Sequence, residues 1–345
     1  MIIEKIINWK QPSNWMRIET LDTHTAGEPL RIILGGFPDL KGETVLEKRS
    51  YLKENYDNLR SMILSEPRGH KDMYGAVLVD PDTENSDLGV IFIHNNGYST
   101  GCGHAVIAIA KVIFEIEISN SKYFKPYIYM DVPSGRIRAD AILKNNNIIG
   151  VSFKNVASFV CKLGVKININ GLGIIKYDIA YGGAYYAIVK SEEVGLKCEP
   201  INQGELIKIG MKIKSAIQNS TNLKCPIKKK YFNLYGTIFT GPPVDPKNHS
   251  RNVCIFADGQ VDRSPTGTGV SARAAILYER GKITLNEELI IESIIGSTFK
   301  VSISEVNKYG LYKTVTPNVI GEAFIVARNR YILDPKDPYK NGFLI

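Results

Sequence analysis

Val90-Ile-Phe-Ile-His94, the loop Asn95-Asn-Gly-Tyr-Ser-Thr-Gly101, and Cys102-Gly103-His104 opening the apolar run Ala105-Val-Ile-Ala-Ile-Ala110 make one strand, turn and helix. The pattern returns as Val253-Cys-Ile-Phe256, a loop through Ser264-Pro265, and Thr266-Gly267-Thr268-Gly269 opening Val270 to Leu277. Continuous apolar strands bounded by turn residues, each feeding a helix, suggest an α/β chain. The repetition of the pattern divides the chain into two related halves.

Strand candidates surround each element. Met16 to Asp22 alternates apolar and polar residues, and Leu30–Leu34, Tyr74–Val79, Leu88–His94, Tyr127–Asp131, Ile137–Leu143 and Ile148–Phe153 follow. The second half offers Ile174–Ala180, Val253–Phe256, Phe299–Ile303, Leu311–Val315 and Glu322–Val326. Residues 44–64 are charged and helix-permissive, helices are expected over 103–114 and 267–280, and apolar residues at helical spacing mark 204–218. Most connections are too short for a repeated crossover, so a mixed, barrel-like sheet around a helix is expected rather than a Rossmann stack. The expected division is an extension over 1–15, a first domain over 16–145 plus 322–345, and a second over 146–321.

Composition narrows the function classes. The 345 residues are 44% apolar and 23% charged, as in ordinary globular proteins. Lys111 breaks even the most apolar run, so no membrane helix is expected. The net charge of +8 favours anionic ligands without naming one; Lys228-Lys229-Lys230 stands alone and reads as a solvated loop, not a nucleic-acid surface. Five scattered cysteines with no C-x-x-C pair argue against a disulfide framework or a zinc site, and the N-terminus lacks the features of a signal peptide, so a reducing cytoplasm is expected. No glycine-rich nucleotide loop opens a helix after a strand.

Chemistry concentrates at the two helix starts. A helix N-terminus carries unpaired N–H groups and the positive end of its dipole, so two of them facing each other would clamp a carboxylate through the amides of Gly103, His104, Gly267 and Thr268. The same field is expected to lower the pKa of Cys102 and make it a thiolate base. Cys161, Cys198, Cys225 and Cys254 read as ordinary small apolar residues. His24 and His94 could orient the site, and His70 and His249 read as solvated. Asp262 and Arg263 read either as a loop ion pair or as an acid that binds a substrate ammonium group.

Asp22-Thr-His-Thr-Ala-Gly-Glu-Pro-Leu-Arg31, Ser99-Thr-Gly-Cys-Gly-His-Ala105 and Asp262-Arg-Ser-Pro-Thr-Gly-Thr-Gly269 resemble the signature segments of the proline racemase family, which includes hydroxyproline 2-epimerases and trans-3-hydroxy-L-proline dehydratases. The likeness extends over residues 16 to 345. It implies a cofactor-independent enzyme of two similar domains with its site in the cleft between them, a small-molecule substrate and no metal; a homodimer stays open. It places the catalytic cysteine on Cys102 and substrate binding on Gly103, His104, Asp262, Gly267 and Thr268. Racemases carry a second cysteine where this chain has Thr266, and a hydroxyl cannot serve as the second acid and base near neutrality. Cys102 with Thr266 resembles the dehydratase pattern and implies a hydro-lyase. A proline or hydroxyproline epimerase, and a silent amino-acid-binding protein, remain as alternatives.

Overall fold

The structure is a computed structural model that describes all residues except 121–123, 221–222, 225–230 and 310–311. The Lys228–Lys230 run and Cys225 lie outside the described residues. A short helix, α1 (Ile2–Ile7), is exposed along its length and precedes the first strand.

The sheet is built from two runs of strands with the same order of directions. The first passes from Ala323–Leu333 to Met16–Thr25, Glu28–Gly35, Tyr74–Val79, Leu88–His94, Tyr127–Val132, Gly135–Lys144 and Asn147–Lys154. The second passes from Phe159–Ile169 to Gly173–Tyr181, Tyr185–Lys190, Gly236–Gly241, Ser250–Phe256, Leu289–Glu292, Thr298–Tyr309 and Tyr312–Gly321. In both, the third strand pairs parallel to the fourth and the fifth parallel to the sixth, while the other pairings are antiparallel. Each parallel step needs a crossover, and a helix occupies each one. These are α2 (Val45–Leu64), α3 (Gly103–Asn120), α4 (Gln203–Ser220) and α5 (Gly267–Glu279). Asn147–Lys154 pairs with Tyr312–Gly321 and joins the runs.

Local sequence accounts for the helices. Thr44 caps α2 through a capping box: its hydroxyl accepts from the Glu47 N–H, and the Glu47 carboxylate accepts from the Thr44 N–H. On α4, Leu206, Ile209, Ile213 and Ile217 are buried along one stripe. By contrast, residues 103–110 of α3 are buried without interruption, and α5 is buried over 267–277 except at Arg273. One apolar cluster contains both of these helices, with Val106, Ile107, Phe153, Val270 and Phe299 among its members.

Several strands differ from the sequence reading. Phe159–Ile169, Tyr185–Lys190, Gly236–Gly241 and Leu289–Glu292 are strands that periodicity did not mark. Phe159–Ile169 is interrupted by Lys162, Lys166 and Asn168, with Leu163, Lys166 and Asn168 exposed, and its register with Gly173–Tyr181 shifts around Tyr177–Ala180. The expected domain boundary at 145/146 falls in the turn of the hairpin Gly135–Lys144/Asn147–Lys154. That hairpin holds residues 147–154 with the first run because its ladder is longer than the one to Tyr312–Gly321. No helix among the described residues is long and apolar enough to cross a membrane.

Candidate active site

The starts of α3 and α5 meet at the seam between the two runs. A Cβ built on Gly103 would lie 2.6 Å from Gly267 Cα, and one on Gly267 would lie 2.7 Å from Gly103 Cα. Only glycine at both positions permits this backbone approach. The two starts are equivalent in bonding as well: Val106 N–H donates to Cys102 O at 3.1 Å, and Val270 N–H to Thr266 O at 2.8 Å. Cys102 and Thr266 therefore stand at corresponding N-terminal positions of the paired helices.

Thr266 is held in an unusual conformation, with φ 68° and ψ 96°. Positive φ is disfavoured for a β-branched residue, and such strain persists only where the surroundings impose it. Its hydroxyl does not cap its own helix, and Oγ1 is buried without a hydrogen bond of good geometry. It lies near enough to the Asp262 carboxyl and the Cys254 thiol to favour their ionised forms.

Cys102 is buried, with Sγ 3.3 Å from His104 Nδ1 and 3.5 Å from Nε2. Its thiol departs from the expectation of a lowered pKa. Burial pushes it well above the usual thiol value, and the Asp262 and Glu28 carboxyls add to the rise, outweighing the lowering by the Ala105 N–H and the Tyr74 hydroxyl. The helix end thus acts in the expected direction but is smaller than the cost of placing a thiolate in a dry interior. Burial, followed by the Arg263 charge, also draws His104 down to about 3, so its imidazole is neutral.

Asp262 is buried, and its Oδ1 accepts from the Ser264 N–H at 2.8 Å. Burial raises its pKa to about 6 against the lowering by Ser264, Thr266 and Arg263. No salt bridge joins Asp262 to Arg263 among the described residues. Arg263 instead reaches Glu28 at 3.6 Å and Asp72 at 3.9 Å, so the loop ion-pair reading does not hold. Thr268 is buried and its hydroxyl shares a 2.7 Å hydrogen bond with Tyr186.

The histidines separate. His24 lies tilted against the half-exposed Phe324 at 5.2 Å, and its Nδ1 accepts from the Gly27 N–H, so it supports a turn and does not enter the cluster. His94 is buried among Tyr74, Tyr235 and Phe256, and burial lowers it to about 4. His70 and His249 are exposed.

Residues without a local signal complete the cluster. Tyr74 packs edge-on against His104 at 4.9 Å and shares a hydrogen bond with Ser99, while Phe256 and Tyr235 stack at 5.4 Å. A cavity of about 760 Å³ in the seam reaches Ser99, Thr100, Ser134, Gly183 and Tyr235 from both runs. Glu28 lies within one of the motifs quoted above, yet only tertiary packing brings it against Arg263. Among the described residues there is no grouping of His, Cys, Asp and Glu suited to a metal ion. What remains is a thiol and a hydroxyl at matched helix starts, with a buried carboxyl whose charge acts on the thiol.

The chain is 44% identical over 97% of its length to a trans-3-hydroxy-L-proline dehydratase of Colwellia psychrerythraea, 94% of which is covered. It is 38% identical over 95% of its length to a proline racemase of Clostridioides difficile, with 98% of that protein covered. The crystal structure of a hydroxyproline epimerase from Agrobacterium vitis, with bound trans-4-hydroxy-L-proline, superposes with a TM-score of 0.87 at 27% identity, covering 97% of this chain and 96% of that one. A phenazine-biosynthesis PhzF-family protein of Bacillus anthracis, at 11% identity and a TM-score of 0.56, shares the fold. The proline racemase family model matches residues 20–344, and the chain belongs to the proline racemase family.

Proposed function

We propose that the protein is a trans-3-hydroxy-L-proline dehydratase, forming Δ1-pyrroline-2-carboxylate without a cofactor. The observation that carries this reading is the asymmetry of the paired helix starts, a thiol at Cys102 and a hydroxyl at Thr266. The name of the Colwellia relative supports it.

In this reading the substrate carboxylate lies against the amides of Gly103, His104, Gly267 and Thr268, and its ammonium group against Asp262. The ammonium charge offsets the Asp262 field that raises the Cys102 pKa, so binding favours the thiolate when it is needed. Cys102 removes the Cα proton, the helix-end amides stabilise the charge that develops on the carboxylate, and the 3-hydroxyl departs as water. The enamine then tautomerises to the cyclic ketimine. Incubation with the cis and trans isomers of 3- and 4-hydroxy-L-proline should give an 18-unit mass loss and an o-aminobenzaldehyde-positive product from the trans-3 isomer. Recovery of only inverted amino acid would refute the reading.

One observation favours the second reading, stereoinversion at Cα. Cys254 is fully buried beside Thr266, so a thiol does exist on that side of the seam. Burial, and the Asp262 charge after it, hold this thiol neutral. Chiral chromatography of the recovered amino acid distinguishes the two outcomes.

Asp262 sets the pH dependence. Its pKa of about 6 means that it is ionised at pH 7 and becomes neutral as the pH falls, losing its attraction for an ammonium group. The value of kcat/KM is expected to fall about tenfold per pH unit below that point. Asp262→Asn should give a low kcat/KM that lacks this acid limb; an unchanged limb in the variant would assign it to another group.

A further inference from the structure

Water elimination needs an acid for the departing hydroxyl as well as a base for Cα. In trans-3-hydroxy-L-proline the hydroxyl is trans to the carboxylate, so it shares a ring face with the Cα hydrogen. The acid therefore belongs on the Cys102 side of the ring, opposite Thr266. His104 is on the Cys102 side, but its imidazole is neutral and a poor proton donor.

Glu28 meets the requirement. It follows the two-residue turn Ala26-Gly27, whose φ values of 52° and 88° suit the tight hairpin that pairs Thr25 with Glu28. Thr25 Oγ1 donates to His104 O at 2.8 Å, which ties this hairpin to the start of α3. The Glu28 side chain is 0% exposed. Its Oε2 accepts from the Arg263 N–H at 2.7 Å, with the Arg263 guanidinium 3.6 Å away, whereas Oε1 is buried and has no hydrogen-bond partner. An orphaned carboxyl oxygen is costly in a dry interior and marks a place where a ligand group can complete it. Burial, followed by the Asp262 charge, raises the Glu28 pKa well above the usual carboxyl value, more than Arg263 lowers it, so its surroundings favour the protonated form.

We propose that Glu28 is the catalytic acid that protonates the departing 3-hydroxyl through Oε1. This inference rests on the dehydratase reading above. The Cys102 thiolate takes the Cα proton, the Cα electron pair forms the ring double bond, the C3–O bond breaks with its pair on oxygen, and the Glu28 proton completes water. Cys102 is left as a thiol and Glu28 as a carboxylate. Transfer of one proton from that thiol to that carboxylate restores both groups, so the cycle consumes no further reagent.

The test compares Glu28→Gln with the wild type on trans-3-hydroxy-L-proline and on trans-3-fluoro-L-proline, whose fluoride leaves without needing a full proton. The variant should lose about 10²-fold or more in ketimine formation from the hydroxylated substrate, while its fluoride release stays within about tenfold of the wild type. Fluoride release also shows that the variant is folded and that Cys102 still works. Dehydration at the wild-type rate, or equal losses on both substrates, overturns the proposal. If the wild type forms no ketimine from the hydroxylated substrate, the dehydratase reading itself has failed, and the role of Glu28 falls with it.

Discussion

Cys102→Ser is expected to lower ketimine formation from trans-3-hydroxy-L-proline by about 10³-fold or more. The site is dry enough to push even the thiol well above its usual pKa, and a hydroxyl starts several units higher. Serine nearly matches the shape of cysteine, so the helix starts at Gly103 and Gly267 should keep their contact and the fold should survive. Product formation followed with o-aminobenzaldehyde, alongside a thermal melt, separates loss of chemistry from loss of structure. A serine variant that turns over at the wild-type rate would remove Cys102 from the mechanism.

Thr266→Cys is expected to create stereoinversion that the wild type lacks. It would place a second thiol at the position equivalent to Cys102, on a helix whose start touches that of the first. With one thiol on each side of the ring, a proton removed from one face of Cα can be returned on the other. Chiral chromatography of L-proline and trans-4-hydroxy-L-proline incubated with the variant should show inversion about 10²-fold or more above the wild type. Cysteine would inherit the φ of 68°, and because it is not β-branched it should tolerate that conformation better than threonine does. If the wild type inverts these amino acids as fast as the variant, the contrast between thiol and hydroxyl no longer separates dehydration from racemisation.

These two experiments address different parts of the site. The first asks whether the Cys102 side supplies the base, and the second asks whether residue 266 decides between elimination and inversion. The Glu28 comparison then asks how the departing oxygen gains its proton. All three depend on the two helix starts being equivalent in position and unequal in chemistry.

What the amino-acid sequence determined by itself was local. Apolar strands running into apolar helices set the α/β class, and glycine beside Cys102 and Thr266 marked two helix starts able to approach closely. Periodicity placed α4, because its apolar positions lie within a few residues of one another. Strands such as Phe159–Ile169 were not legible, because their polar outer positions are compatible with a loop until a neighbouring strand supplies hydrogen bonds.

The tertiary structure decided the electrostatics and the membership of the site. The helix dipole at Cys102 was visible from its position, but the desolvation that outweighs it depends on residues distant in sequence, as does the Asp262 charge that adds to it. The separation of Asp262 from Arg263 is of the same kind, since Arg263 turns to Glu28 and Asp72 on other parts of the fold. A carboxyl's protonation and a thiol's basicity follow from burial and from charges brought together across the chain, so only the folded arrangement of these residues could set them.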